Sequence, residues 1–307
     1  MEKTKLDILH GCSDETNALS IFKEKGRDVL TLIFDDVEKW YKDHVHEDSK
    51  AYYIIKCRFY DPIVSPFPKV IFPTPQDINI NMMPIKLFDQ SSIPELYHPY
   101  LPIIYQCPNL RYKYINGQHI DMIDKIVYLT IHESLVPVGQ TQRRPGLHIE
   151  RPGALEEGGR LVVKPPYFCE EDIEYNSLSW GLGNWGDNHP IDGIYMASNI
   201  SDSCTVWPVV IENPHEVTDA HGGMDHMAPY IGPGHSLKAG ELCWITDRTP
   251  HKSNPIVSDD PEVKFVYRQF FRLVVGKISV WYSKHNTPNP LGILPDAPIS
   301  DADKFEN

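Results

Sequence analysis

Two spacings of apolar residues divide the chain. Val29, Ile33 and Val37 recur at helical spacing between residues 28 and 47, which predicts an amphipathic helix. From residue 111 onward, short β-rich segments alternate with clusters of Gly, Pro, Asn and Asp, a pattern that predicts a sandwich or a barrel. The predicted strands are 52–60, 125–139, 193–200, 204–212, 241–246, 264–275 and 277–283.

The chain shows no internal repeat and no convincing linker, so we expect one domain spanning 1–307. Residues 1–110 form a helical and extended N-terminal region, whose proline-rich part allows only one or two short helices. Residues 111–285 form a mainly β core. The tail, residues 286–307, is rich in proline and acidic residues, and we expect it to be poorly ordered.

Composition narrows the possible partners and the compartment. The net charge of −13 disfavours a nucleic-acid partner, which would call for a basic surface. No signal peptide and no long apolar run is evident, so no membrane association is expected. The six cysteines are scattered without a CxxC pair, which predicts buried free thiols in a cytoplasmic protein. A small-molecule substrate is compatible with the negative net charge, because a local pair of arginines can make one pocket positive. The oligomeric state is left open.

A candidate metal site comes from two separated segments. His148 and Glu150 lie two residues apart and would project from one face of a strand. An HxE pair alone is weak evidence in a chain with 14 histidines and 42 acidic residues. His251 follows an apolar strand at 241–246 and can close on the pair. Two histidines and one carboxylate are the facial ligand set of non-haem Fe(II) oxygenases.

The strand after His251 bears two arginines on one face. Arg268 and Arg272 are four residues apart, and Phe270 lies between them. A buried guanidinium needs a partner, and its geometry matches a carboxylate. The partner that fits beside an iron site is the distal carboxylate of 2-oxoglutarate. We favour Arg268 for this contact and keep Arg272 as the alternative.

The order His148-x-Glu150, His251 and then an arginine on the following strand resembles the Fe(II)/2-oxoglutarate-dependent oxygenase superfamily, over about residues 125–283. The resemblance implies a double-stranded β-helix, a jelly-roll or cupin-like core, with N-terminal flanking helices. It also implies Fe(II), 2-oxoglutarate and O₂ as cofactors, with release of succinate and CO₂. Two departures are Glu150, where Asp is more frequent, and the long spacing from His251 to Arg268, which a hairpin inserted at 254–263 would explain.

Within that superfamily, the size and stand-alone layout are similar to enzymes that oxidise amino-acid-derived metabolites in specialised biosynthesis, such as the kainoid synthases. This implies hydroxylation or oxidative cyclisation at a C–H bond of a small anionic substrate, with desaturation also open. Two rival functions stand beside this one. The first is a metal-dependent cupin-type enzyme that does not use 2-oxoglutarate, and the second is a non-catalytic jelly-roll binding protein.

Further residues are candidates for co-substrate and substrate contacts. Tyr128 and Thr130 share a strand face, so they either hydrogen-bond 2-oxoglutarate or pack in the core. Arg143 and Arg144 precede the metal motif and could hold an acidic substrate. Because neighbouring strand positions face opposite ways, we expect at most one of the two to enter the site. A solvated turn is the alternative.

Two glycine-containing loops complete the candidates. Asn184 and Trp185 lie in a segment with Trp180 and Asn188 that could form a lid contacting the substrate, or pack ordinarily. We interpret the loop that contains His215, His221, Asp225 and His226 as a surface or lid loop, with contact to the substrate and zinc binding as the alternatives.

Overall fold

The computed structural model describes residues 58–59, 69–107, 112–115, 118–121, 125–151, 179–181, 185–186, 189–190, 193–207, 209–211, 218–219, 221–228, 231 and 234–304. The predicted helix at 28–47 and most of the predicted strand at 52–60 lie outside these residues. Of the six cysteines, Cys107, Cys204 and Cys243 are described, and all three are buried free thiols.

A large antiparallel sheet forms the first layer. Its strands are β2 (Asn79–Lys86), β5 (Ile126–Pro137), β8 (Ile194–Ser198), β12 (Cys243–Ile245) and β14 (Phe265–Val274). They lie in the order β12-β8-β14-β5-β2, so β14 is central and β2 is an edge strand. Apolar and aromatic residues predominate in these strands, which agrees with the burial of most positions of β8 and β14.

A second, smaller antiparallel sheet contains three of the short strands. It contains β9 (Cys204–Val206), β11 (His235–Ser236) and β13 (His251–Ser253), in the order β11-β9-β13. His148 forms an antiparallel bridge to His251 and extends this sheet by one position. The pairs are nested along the chain: β5 pairs with β14, His148 with β13, β8 with β12, and β9 with β11.

Short elements surround the two sheets. The strands are β1 (Arg58–Phe59), β3 (Tyr112–Ile115), β4 (Gln118–Asp121), β6 (Trp185–Gly186), β7 (His189–Pro190), β10 (Val209–Val210), β15 (Trp281–Tyr282) and β16 (Ile299–Ser300). The helices are α1 (Leu101–Gln106) and 3-10 turns at Gln90–Ser92, Glu95–Tyr100 and Asp225–Met227. No helix in the described ranges is long and apolar enough to cross a membrane.

Strand β14 separates the apolar core from a pocket. Phe271 and Leu273 are fully buried in the main core cluster, with Tyr100 and Ile103 from the short helices. Arg268, Phe270 and Arg272 project from the opposite face and line the pocket. The alternation expected for this strand is therefore observed, and the mainly β prediction is confirmed.

Two parts of the fold differ from the sequence prediction. Strand β2 lies in a segment interpreted as an extended connection, yet it pairs with β5 as the edge of the large sheet. The tail was expected to be poorly ordered, but β16 pairs in parallel with β15. Thr287 and Asn289 attach the start of the tail to β2: the Thr287 N–H donates to the carbonyl of Asn81 at 2.8 Å, and Asn289 Nδ2 donates to that of Pro84 at 2.8 Å.

A bulge in β2 makes this attachment possible. The register with β5 shifts between Ile80 and Met83, and Met82 has a positive φ of 49°. The Met82 N–H donates to Thr130 Oγ1 at 3.0 Å, and the Met82 carbonyl accepts from Trp281 Nε1 at 2.8 Å. β-Bulges re-aim side chains and are frequent beside functional sites. Here the bulge turns Asn81 toward the pocket that it lines.

Candidate metal centre and its pocket

His148 and His251 are held side by side by their own backbones. The His148 N–H donates to the His251 carbonyl at 3.0 Å, and the His251 N–H donates to the His148 carbonyl at 2.8 Å. The ring centroids are 4.5 Å apart. Sheet pairing thus brings together two residues that are a hundred positions apart in the chain.

Each histidine ring is fixed by a carbonyl two residues earlier. Nδ1 of His148 donates to the Gly146 carbonyl at 2.8 Å, and Nδ1 of His251 donates to the Thr249 carbonyl at 2.9 Å. This bond selects the tautomer whose Nε2 has a free lone pair, as in most metal-bound histidines. Burial lowers the pKa of His148 to about 3, so the ring stays neutral.

The local sequence explains why the HxE motif faces the pocket. Leu147 and Ile149 are buried in a cluster with Met224 and Met227, which fixes the opposite face of the segment. The Leu147 N–H donates to Asp225 Oδ1 at 2.6 Å. Asp225 therefore holds the backbone of the HxE segment through the residue before His148.

Glu150 lies beside both a histidine and an arginine. Its Oε1 is 3.7 Å from Nε2 of His251 and accepts a hydrogen bond from Arg272. Although burial alone would raise it, the charge of Arg272 holds the pKa of this carboxyl well below its usual range. The group is thus an anion at neutral pH, as a metal ligand must be.

The three side chains open onto a cavity of about 520 Å³. Among the charged side chains of its walls, cations outnumber carboxylates. The apolar lining includes Met196, Cys204, Ile245 and Phe270. The charged and imidazole groups that line it are His132, Arg143, Arg144, His148, Glu150, Arg151, His221, His251, Lys252, Arg268, Arg272, His285 and Lys304. A strongly acidic protein therefore contains a locally basic pocket, and such a field favours an anionic ligand.

Arg268 is the most deeply buried of these cations, at 1% exposure. Its Nε donates to Ser198 Oγ and its Nη1 to Ser253 Oγ, each at 3.2 Å, and its guanidinium lies 5.4 Å from the Phe270 ring centroid. No carboxylate pairs with it in the described part of the chain. Burial lowers its pKa to about 10, so it remains charged at neutral pH. A buried charge with only neutral partners is suited to an anion.

Arg143 and Arg144 both line the cavity, whereas we expected at most one of them to enter the site. Arg143 is partly buried, contacts His132 Nε2 at 3.0 Å, and lies 5.3 Å from the Phe270 ring centroid. Burial and the charge of Arg143 lower the pKa of His132 to about 3, so this ring is neutral. Arg144 is exposed at the cavity mouth and donates to the His221 carbonyl at 2.7 Å.

Tyr128 and Thr130 share a strand face with His132, but only His132 lines the cavity. Tyr128 belongs to a core cluster, which is the packing alternative considered above. Thr130 is fully buried, and its hydroxyl lies under the β2 bulge, where it contacts Met82 N and Asn81. Thr130 does not reach the cavity because the bulge of β2 covers this part of β5.

Several candidates cannot be placed in the site. Asn184, Asn188 and His215 lie outside the described residues. Trp185 is described only as part of β6, and Trp180 lines the cavity at 2% exposure. In the His221 loop, the Asp219 carboxylate accepts from the N–H groups of His221 and Gly223 at 2.8 and 2.7 Å, which is the geometry of an ordered turn.

No three-residue cluster of His, Cys, Asp and Glu among the described residues has metal-binding geometry. Of the three expected ligands, the two histidines are arranged to bind a metal, and Glu150 is not. Nε2 of both histidines is available, while Glu150 is turned toward Arg272. Neighbouring donors around an octahedral ion are about 3 Å apart, given bonds near 2.1 Å. The 3.7 Å from Glu150 to His251 is thus within a small side-chain movement of that value.

Sequence reasoning missed Ser198, Ser253, Asn81 and Lys304, which all contribute to the cavity or to its arginines. The hydroxyls and the amide occur in common strand contexts, and nothing in their sequence sets them apart. Comparison with family models, curated proteins and solved structures found no match to this chain.

Proposed function

We propose that this chain is an Fe(II)/2-oxoglutarate-dependent oxygenase acting on a C–H bond of a small anionic metabolite. One observation supports this best. Two backbone-paired histidines with available Nε2 atoms and the Glu150 carboxylate share a cavity with a buried arginine that has only neutral partners. That is a metal-ligand set and a carboxylate receptor in one pocket.

The nested strand pairing supports a double-stranded β-helix as the core fold. First and last strands of the core pair, then second and seventh, third and sixth, fourth and fifth. A long hairpin folded over on itself gives this order, and it places alternate strands in two facing sheets, as in a jelly roll. The HxE segment and His251 form the second and seventh positions.

Each part of the pocket has a distinct role in this proposal. His148, Glu150 and His251 would hold the metal, and Arg268 would bind the distal carboxylate of 2-oxoglutarate between Ser198 and Ser253. The bound iron and 2-oxoglutarate supply the oxidising chemistry, with O₂ consumed and succinate and CO₂ released. The protein positions the target carbon, neutralises the carboxylates and excludes water.

The charge balance favours an anionic substrate. Arg143, Arg272 and Lys304 line the cavity in addition to Arg268, whereas Glu150 is its only described carboxylate. One 2-oxoglutarate leaves positive charge uncompensated, all the more so beside a divalent ion. An amino-acid-derived substrate with at least one carboxylate would compensate it.

The test is metal-dependent succinate release. Protein reconstituted anaerobically with Fe(II) should convert 2-oxoglutarate to succinate when O₂ is admitted, and an added N-alkylated acidic amino acid should raise the rate. Variant Arg268→Met should need about tenfold or more 2-oxoglutarate to reach the same rate. The control Lys264→Met, at an exposed position just before β14, should behave like the wild type. Metal binding without any succinate would favour the cupin-type enzyme, and absence of metal binding would favour the binding protein.

A further inference from the structure

The tail returns to the mouth of the cavity. We call residues 299–304 the C-terminal strap. It begins with the parallel pairing of β16 on β15, and the Ser283 N–H donates to the Ser300 carbonyl at 2.9 Å. Ser283 Oγ also donates to Asp301 Oδ1 at 2.6 Å, and His285 Nε2 contacts Asp303 Oδ1 at 2.5 Å. Contacts therefore hold the strap along most of its length.

The strap brings Lys304 into the pocket. Its ammonium lies 4.4 Å from the ring centroid of Trp180, and both side chains line the cavity. The backbone of Trp180 is itself held in place, because its backbone N–H donates to Asp247 Oδ2 at 2.9 Å. The position of Lys304 thus follows from a rigid aromatic surface and an anchored strap.

The side chain of Trp180 places a polar group of its own close to Lys304. The indole Nε1–H of Trp180 is buried and makes no hydrogen bond with the described residues, and an unmet buried donor is costly. The surroundings of Lys304 are also positive: burial and the charges of Arg272, Arg144 and Arg143 lower its pKa to about 8, against the opposing effect of Glu150. An ammonium and an indole N–H among arginines are suited to an oxyanion.

We propose that Lys304 and the Trp180 indole bind a carboxylate of the substrate, which makes the C-terminal strap a part of the substrate site. This rests on the proposed function. Arg268, which would bind 2-oxoglutarate, lies between the serines of β8 and β13. Lys304 belongs to the strap and lies beside Trp180, so the two cations can bind different ligands. The ring of Trp180 would also pack against the apolar part of the same substrate.

Calorimetry with two ligands tests the proposal. Protein loaded with Mn(II), which supports binding without turnover, is titrated with 2-oxoglutarate and then with an N-alkylated L-glutamate. For Lys304→Met, the Kd of the glutamate probe should rise about tenfold or more, the usual effect of losing a charged hydrogen bond. The Kd of 2-oxoglutarate should change less than twofold. Lys304→Arg should restore probe binding, and Trp180→Phe should weaken it several-fold.

The matched control is Lys284→Met, an exposed lysine close to the strap anchors, which should bind both ligands like the wild type. Thermal unfolding verifies that each variant folds. Wild-type probe binding that Lys304→Met leaves unchanged would overturn the proposal, as would a wild type that does not bind the probe, or an equal loss of 2-oxoglutarate affinity. Failure of the wild type to bind Mn(II) and 2-oxoglutarate would instead reject the proposed function.

Discussion

Arg272 donates a hydrogen bond to the carboxylate of Glu150, and the two residues come from segments 122 positions apart. The pair is buried, since the side chains are 6% and 13% exposed. Glu150 therefore has an arginine partner in this structure. This pairing favours our proposal that Arg268, and not Arg272, would bind 2-oxoglutarate.

Removing this arginine should destabilise the metal-free protein. In Arg272→Met, Glu150 loses its partner, and an uncompensated buried charge costs about 3–5 kcal/mol. Adding Mn(II) should then raise the unfolding temperature more in the variant than in the wild type, because the ion replaces the lost positive charge. Unfolding is measured in EDTA and in Mn(II), with the double variant Arg272→Met/Glu150→Gln as control. Equal unfolding temperatures in EDTA would contradict the expectation.

Loss of a histidine should abolish metal binding and spare the fold. His251→Ala should weaken Mn(II) binding by at least about 100-fold, which exceeds typical losses from outer-shell partners. The backbone pairing with His148 does not need the imidazole, so the circular dichroism spectrum should be unchanged. His235→Ala, in the same small sheet, is the control. One equivalent of metal retained by His251→Ala would remove this residue from the site.

The two arginines of β14 should affect different ligands. Arg268→Ala should raise the KM for 2-oxoglutarate about tenfold or more with little effect on metal affinity, because a charged bidentate contact contributes about 1.5–3 kcal/mol. Arg272→Ala should instead alter metal affinity through Glu150. Steady-state kinetics and metal titration of both variants separate these effects. The reverse outcome would exchange the two assignments.

A buried carboxylate on the core side of the large sheet should govern acid stability. Glu133 accepts hydrogen bonds from Tyr100 Oη, Gln269 Nε2 and the N–H groups of Gln76 and Ile78, at 2.7, 2.9, 2.7 and 2.9 Å. Burial raises its pKa, but these bonds outweigh burial and leave the pKa lowered. Its stabilisation is therefore complete above the ordinary value near 4.5 and is lost as the pH falls through the lowered one.

Glu133→Gln should accordingly lower the free energy of unfolding by about 1–3 kcal/mol near neutral pH, since an amide cannot accept all four bonds. Urea titrations across pH 3–7 should show the difference from the wild type shrinking at the acidic end. Glu262→Gln, at an exposed position, is the control. A difference that is constant over this range would assign the effect to packing and not to charge.

The strands of the core could be predicted where short segments are rich in apolar and aromatic residues. The segments that became β5, β8, β12 and β14 have this composition, and the structure places strands there. Strand β2 escaped prediction because Pro84 and two asparagines interrupt it. Proline is tolerated there since β2 is an edge strand, a property that depends on pairing and not on local sequence.

The site was predictable only in its chemistry. The spacing of His148 and Glu150, and the face shared by Arg268 and Arg272, follow from strand geometry alone. The partners of these groups follow from register between distant segments, so neither the Glu150–Arg272 pair nor the serines around Arg268 could be foreseen. Lys304 was missed for a different reason. The acidic and proline-rich composition of the tail predicted poor order there, so none of its residues was considered for the site.

The bulge of β2 has a consequence for the order of assembly. Asn81 bonds to the carbonyl of His285 and to Asn286, across more than 200 residues of chain, and Trp281 bonds to Met82 over a similar span. Contacts of such range form late, because the loop they close is long. During synthesis, β2 can therefore make these contacts only after residues 281–304 have left the ribosome. Until then the unpaired backbone groups of this edge strand can pair with a strand of another chain, so we expect aggregation of the nascent chain to begin at this edge.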